Sequence, residues 1–196
     1  MKIIGITGQS GSGKGTLSKE FEKLGYVHAD ADKIYHSLLK SNDELKKELV
    51  AEFGDDIVSG GEIDRKALGK KVFGKNNSRK LCRLNKITHK YVCREYIKLI
   101  TSLKEQNAKG IVIDAPLLIE ARLNHLCDTN ILVLCDRDKR IERIIKRDGI
   151  SRQSAELRID SQKPISFYVP FCDKLFLSES DSEEEVAIAT DRELHE

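Results

Sequence analysis

The residues best suited to chemistry stand near the start of the chain. Gly8-Gln9-Ser10-Gly11-Ser12-Gly13-Lys14 satisfies G-x-x-x-x-G-K. Glycines in such a run let the backbone curl until successive N–H groups point at the oxygens of a bound phosphate. A helix opening where the run ends adds partial positive charge, and the Lys14 ammonium extends to the β- and γ-phosphates. The chemistry indicated is binding and transfer of a nucleotide's terminal phosphate, with Gly11, Ser12, Gly13, Lys14, Gly15 and Thr16 as the ATP-binding residues. A glycine-rich surface turn is the competing explanation, and the strand before the run and the helix pattern after it weigh against that. A Ser or Thr normally follows the lysine and gives its hydroxyl to Mg²⁺. Here Gly15 stands in that place and Thr16 comes one later, so Mg²⁺ is expected to be held mainly by phosphates and water. No residue is assigned as a metal ligand.

Two further groups of residues bear on the acceptor and on the transferring phosphate. A hydroxyl acceptor needs a group to orient it and take its proton, and kinases commonly use an aspartate. Asp30-Ala31-Asp32 ends the second strand-like run, at the edge where open α/β sheets bind ligands. Alternation along an extended strand end turns both carboxylates to one side. The same aspartates could instead cap a helix beginning near Lys33, and the pattern alone leaves the two readings level. Arginines 137, 140, 143, 147, 152 and 158 crowd a later segment, with Arg140, Arg143 and Arg147 on one helical face. Guanidinium groups suit the charge that spreads over phosphoryl oxygens during transfer. Any one of them is explained equally by a solvated pair with Asp136, Asp138, Glu142 or Asp148; as a group beside a phosphate loop they are expected to form a lid.

These residues need elements to position them. Ile3–Thr7 reads as a strand, Gly8–Gly15 as a loop and Thr16–Leu24 as a helix, with Leu17, Phe21 and Leu24 forming an apolar stripe and Gly25 ending it. Tyr26–Ala29 reads as a second strand. Between Lys33 and Asn107 the pattern is almost wholly helical, its longest segment running from Ser78 to Gln106. Leu81, Leu84, Tyr91, Tyr96, Ile100 and Leu103 recur there at helical spacing. Ile111–Ile113 and Asn130–Cys135 read as strands buried on both faces. A helical stretch from Arg137 to Lys163, a short strand at Lys174–Leu177 and an acidic tail helix follow. Strands separated by helical crossovers predict an α/β, doubly wound parallel sheet of P-loop NTPase type with a helical insertion and a lid.

Composition narrows the classes. Lys and Arg number 34 against 32 Asp and Glu, a net charge of only +2 over 196 residues. A dedicated nucleic-acid binder would carry a clear basic excess. The longest apolar stretch, Gly110 to Ile119, contains Asp114 and Pro116 and is too short to span a bilayer. The opening residues lack a signal-peptide layout. Five cysteines form no C-x-x-C pair and are odd in number, which predicts reduced thiols and a cytoplasmic location.

With these pieces in order, the chain resembles the dephospho-CoA kinase family from about Met1 to Asp173. The resemblance is carried by Gly5-Ile6-Thr7-Gly8 with Gly11-Ser12-Gly13-Lys14, and by His28-Ala29-Asp30-Ala31-Asp32-Lys33-Ile34. It continues through Ile63-Asp64-Arg65 with Leu68 and Val72-Phe73, His89, and Pro116-Leu117-Leu118-Ile119-Glu120. It closes on Arg143, Lys146-Arg147-Asp148, and Arg158-Ile159 with Gln162. The resemblance implies transfer of the γ-phosphoryl group of ATP to the ribose 3′-hydroxyl of dephospho-CoA, with Mg²⁺, in the last step of coenzyme A synthesis. It implies a nucleotide-binding core (1–32, 108–136 and 171–196), a helical CoA-binding domain (33–107) and a lid (137–170). Asp32 would orient and deprotonate the acceptor, Lys14 and Arg147 would stabilise the transferring group, and Arg65 and His89 would lie at or near the acceptor site; His89 is equally explained as a structural histidine of the long helix. Gly15 replaces the family's usual Ser, Gln9-Ser10 replaces the more usual Gly-Ile, and Lys90 stands where Pro commonly follows the histidine. Leu177–Ser182 replaces an Asn-containing turn of the adenine-side wall. Gly13-Lys14-Gly15-Thr16 also looks like the loop of adenylate kinases, so a nucleoside monophosphate kinase is the alternative enzyme. Asp30-Ala31-Asp32 fills the place where that class would carry a nucleotide-acceptor segment with Arg. A non-catalytic nucleotide-sensing module is the alternative outside enzymes, and it would need no proton acceptor.

Overall fold

The first strand, β1 (Lys2–Thr7), is apolar enough to be buried from Ile3 to Thr7, and it becomes the middle of a sheet. In the computed structural model, which describes residues 1–73 and 77–196, β1 leads through a loop into α1 (Lys14–Lys23), then β2 (Tyr26–Asp30) and α2 (Ala31–Ser41). Next come α3 (Asp43–Phe53), the two-residue strands β3 (Val58–Ser59) and β4 (Glu62–Ile63), α4 (Arg65–Val72) and the long α5 (Ser78–Glu105). The chain continues with β5 (Gly110–Asp114), β6 (Thr129–Leu134), α6 (Arg137–Asp148), α7 (Arg152–Asp160), α8 (Ile165–Tyr168), β7 (Lys174–Leu177) and α9 (Glu183–His195). It divides into two compact units, Met1–Asp30 with Leu103–Glu196, and Ala31–Ser102.

In the first unit the sheet order is β2-β5-β1-β6-β7, with every neighbouring pair parallel. This is the α/β fold the strand–helix alternation predicts. Ile4, Ile6, Val112, Ile131, Val133 and Phe176 of the sheet pack with Leu17 and Phe21 of α1 and Ala187 of α9. Leu17 and Phe21 are fully buried, each contributing about 2 kcal/mol through removal from water. Gly25 follows α1 at φ +90, as a helix-terminating glycine requires. Tyr26 donates to Asp191 of α9 at 2.7 Å, which ties the terminal helix to the sheet. The α6–α7 pair has its own small core of Ile141, Ile144, Ala155 and Ile159.

Two readings of the sequence change here. Helix α1 opens at Lys14 rather than Thr16. Asp32 lies in the first turn of α2, not on an extended strand end, so alternation does not turn it to the same side as Asp30. The strand stops at Asp30 because its partner β5 stops at Asp114, the residue in register with it.

The second unit is helical apart from β3 and β4, which the expectation of an almost wholly helical stretch lacked. Gly60 and Gly61 both adopt left-handed conformations, φ 60 and 81, and form the two-residue turn that pairs Val58 with Ile63. Part of that expected helical stretch, residues 74–76, lies outside the described residues. Leu84, Tyr91, Tyr96, Ile100 and Leu103 of α5 are buried, as their spacing predicts. Among the described residues no helix is long and apolar enough to cross a membrane.

Candidate active site

The phosphate loop joins β1 to α1 in a conformation only glycine supplies. Gly8, Gly11 and Gly13 sit at φ 149, 79 and 105. A Cβ on Gly8 would lie 2.5 Å from the Val133 carbonyl oxygen, and one on Gly11 2.7 Å from that of Arg140. Gly13 immediately precedes α1, whose first turn carries no acidic residue, so the positive end of the helix is left to an anion. Lys14 Nζ donates to the carbonyls of Gly8 at 2.8 Å and Gln9 at 3.3 Å. Ser12 is buried and its Oγ has no hydrogen-bond partner; a phosphate oxygen in the loop would satisfy it. The strand–loop–helix context that the motif demands is thus present, and it suits ATP.

Gly15 differs from the other loop glycines. Nothing lies within 4 Å of a Cβ built on it, and it is exposed. Neither close packing nor backbone strain requires glycine there.

Asp114, which sequence reasoning did not single out, closes β5 beside the loop. Its Oδ2 accepts from Ser18 Oγ of α1 at 3.3 Å, and Ser18 also donates to the Lys14 carbonyl at 3.0 Å. His28 Nε2 approaches the same carboxylate oxygen at 3.5 Å, and His28 Nδ1 lies 3.8 Å from Glu22. Asp114 raises the imidazole's pKa, against burial, with Glu22 and Asp30 adding smaller effects. The sequence signal was a carboxylate ending a buried β-branched strand, hidden by 96 residues of separation from Ser18.

The arginine helix divides into two behaviours. Arg140, only 5% exposed, and Arg143 both reach back to the loop. Arg140 Nε donates to the Ser10 carbonyl at 3.0 Å. Arg143 Nη1 donates to the carbonyls of Gly11 and Ser12, each at 3.2 Å, and to Ser178 Oγ at 3.0 Å. Arg147, one turn further, makes a bidentate pair with Asp148 at 2.7 and 2.9 Å. Arg158 meets the same carboxylate, and Arg147 foremost holds the Asp148 pKa down at about 2.

The Leu177–Ser182 segment forms a turn against the start of α6. Glu179 accepts from the Asp136 N–H and from Lys139 Nζ at 2.8 Å, and Lys139 is the main reason its pKa falls to about 2. Glu120 is half-buried, and desolvation of its carboxyl is the chief cause of its raised pKa.

The remaining expected residues belong to the second unit. Asp32 is exposed in the first turn of α2. Arg65 opens α4, directly after Asp64, which caps that helix by accepting from the N–H groups of Lys66 and Ala67. Its charge acts on Tyr35, whose phenol pKa is raised by burial against that influence. His89 is half-buried in the middle of α5.

Comparison with known proteins gives these features a context. The family model for dephospho-CoA kinase matches residues 2–182. A dephospho-CoA kinase of Carboxydothermus hydrogenoformans is 38% identical over 174 residues, covering 88% of this chain and 84% of that protein. One from Fusobacterium nucleatum is 40% identical over 162 residues, covering 82% and 80%. A crystal structure of a Thermus thermophilus protein superposes with a TM-score of 0.77 at 27% identity, covering 99% of this chain and 96% of that one. Shikimate kinase from Acinetobacter baumannii, at 12% identity and a TM-score of 0.55 over 100% and 93% of the two chains, shares the fold.

Proposed function

The chain belongs to the dephospho-CoA kinase family, enzymes that transfer phosphate from ATP to dephospho-CoA, and we propose that it phosphorylates the ribose 3′-hydroxyl with Lys14, Asp32 and Arg147 as its catalytic groups. The observation that carries this reading is the family match across residues 2–182. In the step itself, Asp32 orients the acceptor hydroxyl and takes its proton. The hydroxyl oxygen then bonds to the γ-phosphorus while the bond to the β–γ bridging oxygen breaks, and ADP leaves. Lys14 and Arg147 offset the charge on the transferring oxygens, and Arg65 and His89 hold the acceptor. The glycine cradle and the unsatisfied Ser12 Oγ support residues 11–16 as the seat of the phosphates.

Mg²⁺ bound here would neutralise phosphate charge. Gly15 carries no hydroxyl, which supports an ion held mainly by phosphate oxygens and water, with the protein contributing the loop around them. Residues 137–170 act as the lid and 33–107 as the acceptor domain in this reading. The near balance of charge, +2, supports small-molecule substrates over nucleic acid, and an odd number of cysteines with no C-x-x-C pair supports the cytosol.

The test is an ATP-consumption assay with dephospho-CoA as acceptor and mass detection of CoA, run beside AMP and CMP. Formation of CoA at rates well above the phosphorylation of AMP or CMP is the expected result. Preference for a nucleoside monophosphate, or no turnover with any acceptor, would overturn the reading.

A further inference from the structure

Arg140 presents an unusual combination. A guanidinium cannot neutralise itself by losing its proton, yet this one is 5% exposed and each of its hydrogen bonds goes to a neutral oxygen. Nε bonds the Ser10 carbonyl at 3.0 Å, Nη1 the side-chain oxygen of Gln9, and Nη2 that of Gln162 at 3.4 Å. Burial lowers its pKa, and Arg137 acts the same way; Cys135, Asp136 and Tyr168 are the groups that oppose them. A buried cation with neutral acceptors is costly to the folded protein unless an anion arrives nearby.

The place where an anion is expected is the other side of the same peptides. Among the described residues there are no cis peptide bonds, so in the loop each carbonyl and the following N–H point in opposite directions. Arg140 and Arg143 hold the carbonyls of Ser10, Gly11 and Ser12 from outside the loop. The N–H groups of Gly11 and Gly13 therefore point away from the two guanidinium groups. A charged donor on a carbonyl oxygen also polarises the peptide and strengthens its N–H as a donor.

The remaining contacts fix the guanidinium in place. Gln162 Oε1 also accepts from the Ser10 N–H at 3.0 Å, and Gln9 Nε2 donates to the Lys163 carbonyl at 2.9 Å. A residue without a side-chain oxygen at position 9 would offer Arg140 Nη1 no acceptor there.

We propose that Arg140 is a positioning residue for the phosphates of ATP: a fixed positive charge behind the loop, acting through the Ser10–Gly11 peptide and locked by Gln9 and Gln162. The inference rests on reading the loop as the ATP site.

Calorimetric titration of the full chain with ATP, and separately with dephospho-CoA, tests it in the parent and in Arg140→Lys, Arg140→Gln and Gln9→Gly. Arg140→Gln, which keeps a donor but loses the charge, is expected to weaken ATP about tenfold and leave dephospho-CoA within about twofold. Arg140→Lys keeps the charge and is expected to stay within about threefold of the parent for ATP. Equal losses in the Lys and Gln variants, or an equal loss of dephospho-CoA binding, would overturn the proposal in favour of a purely structural arginine. Should Arg140→Gln fail to fold in a thermal melt, Gln9→Gly decides: it leaves the charge but unlocks it, and unchanged ATP affinity would refute the lock. A parent chain that binds no ATP would overturn the reading of the loop itself, and this inference with it.

Discussion

Replacing Gly15 by serine tests how the metal is held. The position lies in the first turn of α1, it is exposed, and a Cβ there meets no atom within 4 Å. A clash of the new side chain with neighbouring protein atoms is therefore removed as an explanation, and obstruction of a bound phosphate would show as a raised rather than a lowered Mg²⁺ requirement. Serine is a better helix residue than glycine by about 0.5 kcal/mol, so stability should hold or rise slightly. The added hydroxyl stands where the general motif places a metal-binding Ser or Thr. If it exchanges one water in the coordination of Mg²⁺, a net gain of about 1 kcal/mol is reasonable for one such contact. That corresponds to about a fivefold fall in the Mg²⁺ concentration giving half-maximal rate. The assay is a titration of initial rate against free Mg²⁺ at saturating ATP and dephospho-CoA, with a thermal melt to confirm unchanged folding. A Gly15→Ser enzyme with an unchanged or higher Mg²⁺ requirement would refute the account of a metal held by phosphates and water.

Lys14→Met keeps the length of the side chain and removes its charge, and turnover is expected to fall at least about a hundredfold, as for loss of a preorganised donor; a near-normal rate would show that the loop does not serve transfer. Asp32→Asn should cost about 10²–10⁴-fold in kcat with little change in acceptor affinity, and Asp30→Asn should be milder; the reverse order in kcat would reassign the base. Arg147→Ala should depress kcat more than thermal stability, and should abolish ATP-dependent protection of residues 141–162 from hydrogen exchange. Identical exchange in the parent with and without ATP would remove the lid.

Much of the nucleotide side was legible because its constraints are local. Glycines at 8, 11 and 13 are needed by the backbone of the loop itself, whatever packs around it. The buried strands and the apolar stripe of α5 are written in spacings of two to four residues. The two-residue turn at Gly60-Gly61 was equally local, and reading the surrounding stretch as helix passed over it. Asp32 required knowing where β2 loses its partner, because the same residue serves a strand end or a helix start according to that boundary.

What the sequence by itself determined, then, is the loop, the order along the chain of the five strands of the parallel sheet, and the family. Which side chains meet was decided by the order of strands in the sheet. Because β6 pairs with β1, with Ile131 beside Ile6 and Leu132 beside Thr7, the helix after β6 begins next to the loop after β1. That adjacency brings Arg140 and Arg143 to carbonyls some 130 positions earlier in the chain. Because β5 pairs with β1 on the other side, Asp114 arrives beside Ser18. Neither meeting has a local signature, since a side chain's partners across a sheet depend on strand register and not on its neighbours in the chain.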